Sequence, residues 1–346
     1  MNEISYQESL AIENSVYIDV RSPLEYETDH VTGSLNIPLF DNDERKEIGT
    51  MYRLAGRHDA IVRGTEIVGE KLKDIIQTLY RYNDKKIIVL CARGGMRSSS
   101  LVSLLDSIGM NVYKLKNGYK GYRHYVMEKL ESLKLKATLF VLQGLTGSGK
   151  TEIIRNIHHA IDLEDMAGHR SSVFGGIDKI QKTQKRFESL LLDRLRSLRD
   201  RPYILIEGES RKIGNLHLPD SLYNIMKKSP VIYVDTPIER RVEIIYNEYR
   251  SHCNDENIPA IVKSLSPKLG QKNVDHLISL YTTGNIREFI REMLRTYYDP
   301  LYQYSLGRHN FCAIIQNQNT DESVAELRKC IDTYMKKNFN LIDNNQ

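Results

Sequence analysis

Two stretches of the chain carry side chains suited to chemistry, and each follows a short apolar run. The first is Gly144-Leu145-Thr146-Gly147-Ser148-Gly149-Lys150-Thr151, with glycines, lysine and threonine at the GxxxxGK[ST] spacing. It follows Thr138–Gln143 and precedes a helical run from Thr151. Glycines let backbone N–H groups turn inward around an anion, Lys150 adds a point charge, and the helix N-terminus adds more. Thr151 offers a hydroxyl that suits Mg²⁺. The loop is therefore read as holding a diphosphate through Gly144, Thr146, Gly147, Ser148, Gly149, Lys150 and Thr151. Ile204-Leu205-Ile206-Glu207-Gly208-Glu209-Ser210 reads as a second strand end, with Glu207 and Glu209 where an ordinary nucleotidase places aspartate.

The second stretch is Cys91-Ala92-Arg93-Gly94-Gly95-Met96-Arg97-Ser98, directly after Ile87–Leu90. A cysteine at the carboxyl end of a buried strand, ahead of a helix, sits in a ring of backbone donors that stabilises a thiolate. Arg93 and Arg97 add positive charge, and Gly94 and Gly95 permit the tight wrap. Such a nest also fits a tetrahedral oxyanion. Two chemistries use a Cys-x5-Arg loop: phosphate-ester cleavage through phosphocysteine, and sulfur or selenium transfer through a persulfide-type intermediate. The loop by itself does not separate them.

The elements that must position these loops alternate strand and helix. Val16–Val20, Ser34–Pro38, Ile87–Leu90 and Asn111–Leu115 read as strands, with helical spacing at Ile67, Leu72, Ile75, Ile76 and Leu79. Tyr122–Lys136 reads as a helix leading to a boundary, so residues 1–134 form one α/β domain and 135–346 another. In the second, Thr138–Gln143, Tyr203–Ile206, Val231–Val234 and Phe311–Gln316 read as strands, Gln181–Arg199 and Ile238–Tyr249 as helices, and residues 255–305 as a helical insertion. Val234-Asp235-Thr236-Pro237-Ile238-Glu239-Arg240-Arg241 resembles the strand-to-helix segment before an arginine-bearing lid in P-loop kinases, and a solvated helix face is an equal reading of Arg240 and Arg241. Cys312, inside an apolar run, reads as core.

Composition bounds the reading. The chain has 346 residues, enough for about two domains. Four cysteines with no CxxC argue against a disulfide scaffold and a zinc ribbon. No apolar run reaches membrane-spanning length, and no secretory signal layout opens the chain, so a cytoplasmic protein without membrane contact is expected. The net charge of +4 permits a polyanionic partner without requiring one. Candidate basic stretches are Lys114–Lys136, with Lys116, Lys120, Arg123 and Lys129, and Lys179–Arg201, with Lys182, Lys185, Arg186, Arg194, Arg196 and Arg199.

Several segments carry a resemblance. Asp19-Val20-Arg21-Ser22-Pro23-x-Glu25-Tyr26, His30-x-x-Gly33-Ser34-x-Asn36-Ile37-Pro38, the Cys91 loop and Asn117-Gly118-Tyr119-x-Gly121-Tyr122 resemble a rhodanese domain. Fused ahead of GLTGSGKT, that domain resembles the tRNA 2-selenouridine synthase family. Asp43-Glu44-Arg45-x-x-Ile48-Gly49-Thr50-x-Tyr52, Gly168-His169-Arg170-Ser171-Ser172-x-Phe174-Gly175, Glu207-Gly208-Glu209-Ser210-Arg211-x-Ile213-Gly214 and Tyr297-Tyr298-Asp299-Pro300-x-Tyr302 resemble further family segments. The chain departs from the pattern at Asp29, Thr32, Ser171 and Gly208.

The resemblance implies a rhodanese-like domain ahead of a P-loop NTPase-like parallel-sheet domain. It implies tRNA with a wobble 2-thiouridine as substrate, and geranyl diphosphate and selenophosphate as co-substrates. No tightly bound cofactor and no dedicated metal ligand are expected, while Mg²⁺ remains compatible. The 2-thio sulfur would displace diphosphate from geranyl diphosphate, and selenium would then replace the geranylthio group. Cys91 would carry selenium as S-selanylcysteine, and Arg93, Gly94, Gly95 and Arg97 would hold selenophosphate. His169, Arg170, Glu207, Glu209, Ser210 and Arg211 would complete the second site. The rivals are a Cys-dependent sulfurtransferase or phosphatase fused to a kinase-like domain, and a non-catalytic tRNA-binding protein.

Overall fold

A computed structural model describes residues 2–170, 172–177, 179–249, 256–301 and 310–343, with side chains to 337. Ser171, Cys253, Tyr302 and the ends of the 255–305 stretch (255 and 302–305) lie outside the described residues. The chain divides into two compact units, Met1–Ser132 with Thr183–Asp193, and Leu133–Lys182 with Arg194–Gln346.

The first unit is built on β1 (Asn2–Ile4), β2 (Ser15–Asp19), β3 (Leu35–Asn36), β4 (Lys86–Leu90) and β5 (Val112–Leu115). They form one sheet in the order β1-β5-β4-β2-β3, with every pairing parallel. Ile87, Ile88, Val89 and Leu90 are fully buried, as a central parallel strand with both faces covered requires. Ile67, Ile75 and Leu79, from the long helix Arg57–Tyr80, pack into the same core as Ile87, Val89 and Leu101. The strand Asn2–Ile4, too short to show a pattern, adds the edge beside β5.

The second unit carries β6 (Thr138–Gly144), β7 (Ala160–Ile161), β8 (Tyr203–Glu207), an antiparallel pair β9 (Lys212–Ile213) and β10 (Leu216–His217), then β11 (Val231–Asp235) and β12 (Phe311–Gln316). Its main sheet runs β12-β11-β6-β8-β7, again all parallel. Strand β6 lies where the chain switches from one side of the sheet to the other, the place where such sheets open a crevice at their carboxyl ends. Helices Asn257–Ser264, Ser266–Leu269, Gln271–Thr282 and Ile286–Met293 form a cap with its own apolar cluster, including Val262, Val274, Leu277, Phe289 and Met293. The cap runs into a π-helical turn, Leu294–Tyr298.

One expectation is corrected. Cys312 is exposed, not core. On the edge strand β12 the side chains alternate. Ala313 and Ile315 turn toward the cluster that includes Val324, Leu327 and Ile331, while Cys312 and Ile314 take the open face.

Candidate functional site

Cys91 sits at the carboxyl end of β4, just before the helix Met96–Ser107, and is 3% exposed. Its Sγ lies 3.2 Å from Ser98 Oγ. Burial works against a thiolate here. Hydrogen bonds from the Ser98 hydroxyl, the Ser98 amide and the Arg93 amide, with the nearby charge of Arg97, outweigh it and hold the thiol below its ordinary value. Arg97 donates to Glu25 at 3.0 Å, and Glu25 also accepts from the Ser22 amide at 3.1 Å. Thus Arg97 is braced beside the thiol, while Arg93 is exposed at the rim.

The loop is shaped from beneath by the following turn. Tyr119 N–H donates to the Cys91 carbonyl at 2.8 Å and Lys120 N–H to Ala92 at 3.0 Å. Gly118 has φ +52°, and a Cβ there would lie 2.1 Å from the Cys91 oxygen. Gly94, at φ +64°, faces the Asn117 and Gly118 amides from the other side. The Asn-Gly-Tyr segment therefore sets the backbone under the thiol.

At the carboxyl end of β6 the second loop wraps before the helix Lys150–Arg155. Gly147 and Gly149 have φ of +74° and +82°. Two of the loop's carbonyls, those of Thr146 and Ser148, are drawn outward by named partners, while Gly144 O is held by the loop's own Lys150. Arg241 Nε donates to Thr146 O at 2.9 Å. Thr236 and Asn317 donate to Ser148 O at 2.9 and 2.8 Å. Lys150 Nζ donates to Gly144 O at 3.0 Å. With the Thr146 and Ser148 carbonyls held outward, the Gly147 and Gly149 amides turn the other way, the arrangement that receives an anion, while the Ser148 amide closes the turn on Leu145 O at 3.1 Å. The Ser148 hydroxyl is buried and, among the described residues, has no hydrogen-bond partner.

Arg241 is 3% exposed. Its guanidinium grips Asp299 with two bonds of 3.0 and 2.6 Å. Of the two readings open for this arginine, the solvated face is excluded. The Tyr-Tyr-Asp-Pro segment thereby gains a role in bracing the loop.

Thr146 to Thr151 line a cavity of about 380 Å³. At its polar end stand Glu207, at the tip of β8, with Glu209 and Glu164. Ligating oxygens of these three carboxylates all lie within 4.8 Å of one another. Burial pushes the Glu207 carboxyl well above its ordinary range, the neighbouring Glu164, Glu209 and Asp162 add to this, and Lys150 opposes it. Such a set of hard oxygen donors suits Mg²⁺. Beside the polar Arg155, Arg170, Asn247 and Glu248, much of the remaining wall is apolar and comes largely from the cap and the helix Ile238–Tyr249. It includes Ile245, Ile258, Phe289, Ile290, Met293 and Tyr298.

Of the other expected site residues, Arg170 lines this cavity and donates to Glu248 at 2.5 Å. His169 does not line it; its ring packs against the backbone at Gly176 and Gly214. Ser210 turns back onto the Lys212 carbonyl, and Arg211 pairs with Asp220 in solvent. Neither joins the site. Gly208 has no room for a side chain, since a Cβ would lie 2.8 Å from Leu142 O. Among the candidate basic residues, Arg123 is buried in contact with Glu188 and Ser189, and Arg194 is spent on the Ala160 and His158 carbonyls. Lys116, Lys120, Lys185 and Arg199 are exposed. Sequence reasoning assigned no role to Ser98, Glu164, Asn317 or the apolar wall. Only the wall left a trace, the helical spacing of Ile286, Phe289, Ile290 and Leu294.

Comparison with known proteins places these features in context. Residues 137–334 match a family model described as the tRNA 2-selenouridine synthase AAA domain, and residues 5–125 match the rhodanese-like domain. A tRNA 2-selenouridine synthase of Cupriavidus pinatubonensis (strain JMP 134 / LMG 1197) is 32% identical, over 85% of this chain and 90% of its own. One from Nitrosomonas europaea is 31% identical, over 87% and 91%. One from Sulfurovum sp. (strain NBC37-1) is 28% identical, over 93% and 96%. A solved N-terminal domain from Clostridium difficile 630 is 44% identical over 36% of this chain and 99% of its own, with a TM-score of 0.36.

Proposed function

The chain belongs to the tRNA 2-selenouridine synthase family, and from that membership we propose that it is a tRNA-modifying transferase that converts wobble 2-thiouridine to 2-selenouridine through an S-geranyl intermediate. In the first stage the 2-thio sulfur attacks C1 of geranyl diphosphate. The C–O bond breaks, diphosphate leaves with the bonding pair, and the base gives up its N3 proton. In the second stage selenophosphate and water supply selenide equivalents and release phosphate. Selenium takes the place of sulfur at C2, and geranylthiol departs.

The observation that carries this reading is the make-up of the second-unit cavity. The glycine-rich turn with Lys150 forms one end, and Phe289, Ile290 and Met293 form part of the wall. A prenyl diphosphate has that polarity: a polyanionic head and a branched hydrocarbon tail. Amides and Lys150 stabilise charge that grows on the departing diphosphate, a contribution that is larger in a water-poor cavity than in water. Glu164, Glu207 and Glu209 would hold a Mg²⁺ ion, which would neutralise part of the diphosphate charge. The apolar wall excludes water from C1, which protects the allylic centre from hydrolysis.

Cys91 serves the second stage. Its lowered pKa makes a thiolate more available than in an ordinary cysteine, and Arg97, held by Glu25, places a fixed cation where the selenophosphate oxyanion would rest. Exposed Arg93 adds a second cation at the mouth. Thiolated tRNA incubated with geranyl diphosphate, with and without selenophosphate, tests the scheme by mass spectrometry of wobble nucleosides. S-Geranyl-2-thiouridine should accumulate without selenophosphate, and 2-selenouridine with it. Absence of affinity for thiolated tRNA, or brisk ATP hydrolysis in place of geranylation, would overturn it.

A further inference from the structure

We propose that Asp299 and Arg241 form a positioning pair that couples the apolar wall of the cavity to its anion cradle. The inference rests on the prenyl-diphosphate reading of the site and adds how its two ends act together.

The connection is continuous. The helix Ile286–Met293 and the π-helical turn Leu294–Tyr298 contribute Phe289, Ile290, Met293, Leu294 and Tyr298 to the wall. Asp299 follows that turn directly and holds Arg241 through both carboxylate oxygens, at 3.0 and 2.6 Å. Arg241 reaches Thr146 O at 2.9 Å. In a trans peptide the C=O of one residue and the N–H of the next point in opposite directions. Drawing the Thr146 carbonyl toward the guanidinium therefore turns the Gly147 N–H the other way. Gly147 is seated against the same helix: a Cβ there would lie 2.6 Å from Ile245 Cδ1 and 3.1 Å from Arg241 O. A bidentate arginine–carboxylate pair is directional, and this one is largely buried, with side-chain exposures of 3% and 22%. A π-helical turn inside a longer helix is a frequent mark of a functional position. A chain that fills the wall thus bears on the turn that ends in Asp299, and Asp299 sets the amide that receives the head group.

Calorimetric titration with inorganic diphosphate and with geranyl diphosphate tests the pair, using full-length wild type, Asp299→Asn and Arg241→Lys. Both variants should bind inorganic diphosphate about tenfold more weakly, the loss of one charge-assisted contact. Both should also lose most of the extra affinity that the geranyl chain confers on wild type. KM for geranyl diphosphate should rise, with KM for tRNA unchanged. Arg287→Ala breaks an exposed ion pair to Glu243, between the same two helices but outside the cavity, and should leave all three quantities as in wild type. The proposal fails if folded Asp299→Asn and Arg241→Lys bind inorganic diphosphate as wild type does. It also fails if Arg287→Ala reproduces their losses, since the effect would then be general loosening. If wild type gains nothing from the geranyl chain, the prenyl reading falls instead, and the loss of inorganic diphosphate affinity alone decides the pair.

Discussion

The Cys91 thiol shows how opposed effects are settled within one side chain. Burial disfavours the thiolate, and directed hydrogen bonds favour it more. A thiol held below its ordinary value is ionised over a wider pH range. Alkylation by iodoacetamide should therefore reach half its maximal rate at a lower pH than for an unperturbed cysteine. Ser98→Ala removes one hydrogen bond from the sulfur and should move that midpoint upward, leaving burial with less to oppose it. A wild-type midpoint at or above the ordinary thiol value would mean that burial prevails. Cys91 and Lys150 were legible as sequence because their neighbours in the chain supply their chemistry. Arg241 was open to two readings and its bracing role was not legible, because what makes it functional is Asp299 and Thr146, far away along the chain. Asn317 escaped notice for the same reason. It reaches Ser148 from a point beyond the last strand, with no local pattern to mark it.

Among the elements, continuous apolar runs were the readable signal and edges were not. Ile87–Leu90 is apolar because both faces of β4 are covered. The same reasoning misjudged Cys312, because an edge strand covers one face only. Asn2–Ile4 and Ala160–Ile161 are too short to display a period, and only their partners β5 and β8 define them. The glycines at the element ends can be tested directly. Gly118→Ala meets two penalties: a left-handed φ of +52°, and a Cβ 2.1 Å from the Cys91 carbonyl. Gly109→Ala meets only the first, with φ +85° and open space around the Cβ. The Gly109 variant should cost about 1 kcal/mol. The Gly118 variant should cost about 2–4 kcal/mol and also raise the alkylation midpoint of Cys91, as its supporting turn shifts. Thermal unfolding and the thiol pH profile read the two effects separately. Equal losses from both variants would mean that the close approach under the thiol carries no weight.

For the molecule as a whole, two parallel sheets each end in a loop of different chemistry, and each sheet has its own core. The two chemistries should then be separable by mutation. Cys91→Ser leaves the cradle intact and should stop at S-geranyl-2-thiouridine. Lys150→Ala removes the point charge beside the departing diphosphate and should lower geranylation about a hundredfold or more. With its thiol loop unaltered, Lys150→Ala should still convert tRNA that has been geranylated beforehand. Mixing the two variants therefore supplies one working copy of each site on different polypeptides. Geranylated tRNA released by Cys91→Ser can be taken up by Lys150→Ala, so the mixture should form 2-selenouridine at a rate that rises with the concentration of both proteins. Nucleoside mass spectrometry follows this directly. If Cys91→Ser fails to geranylate although folded, the thiol belongs to the first stage and the division of labour is wrong. If each variant does its own half-reaction but the mixture makes no selenouridine, the intermediate is never released and both stages must occur on a single chain.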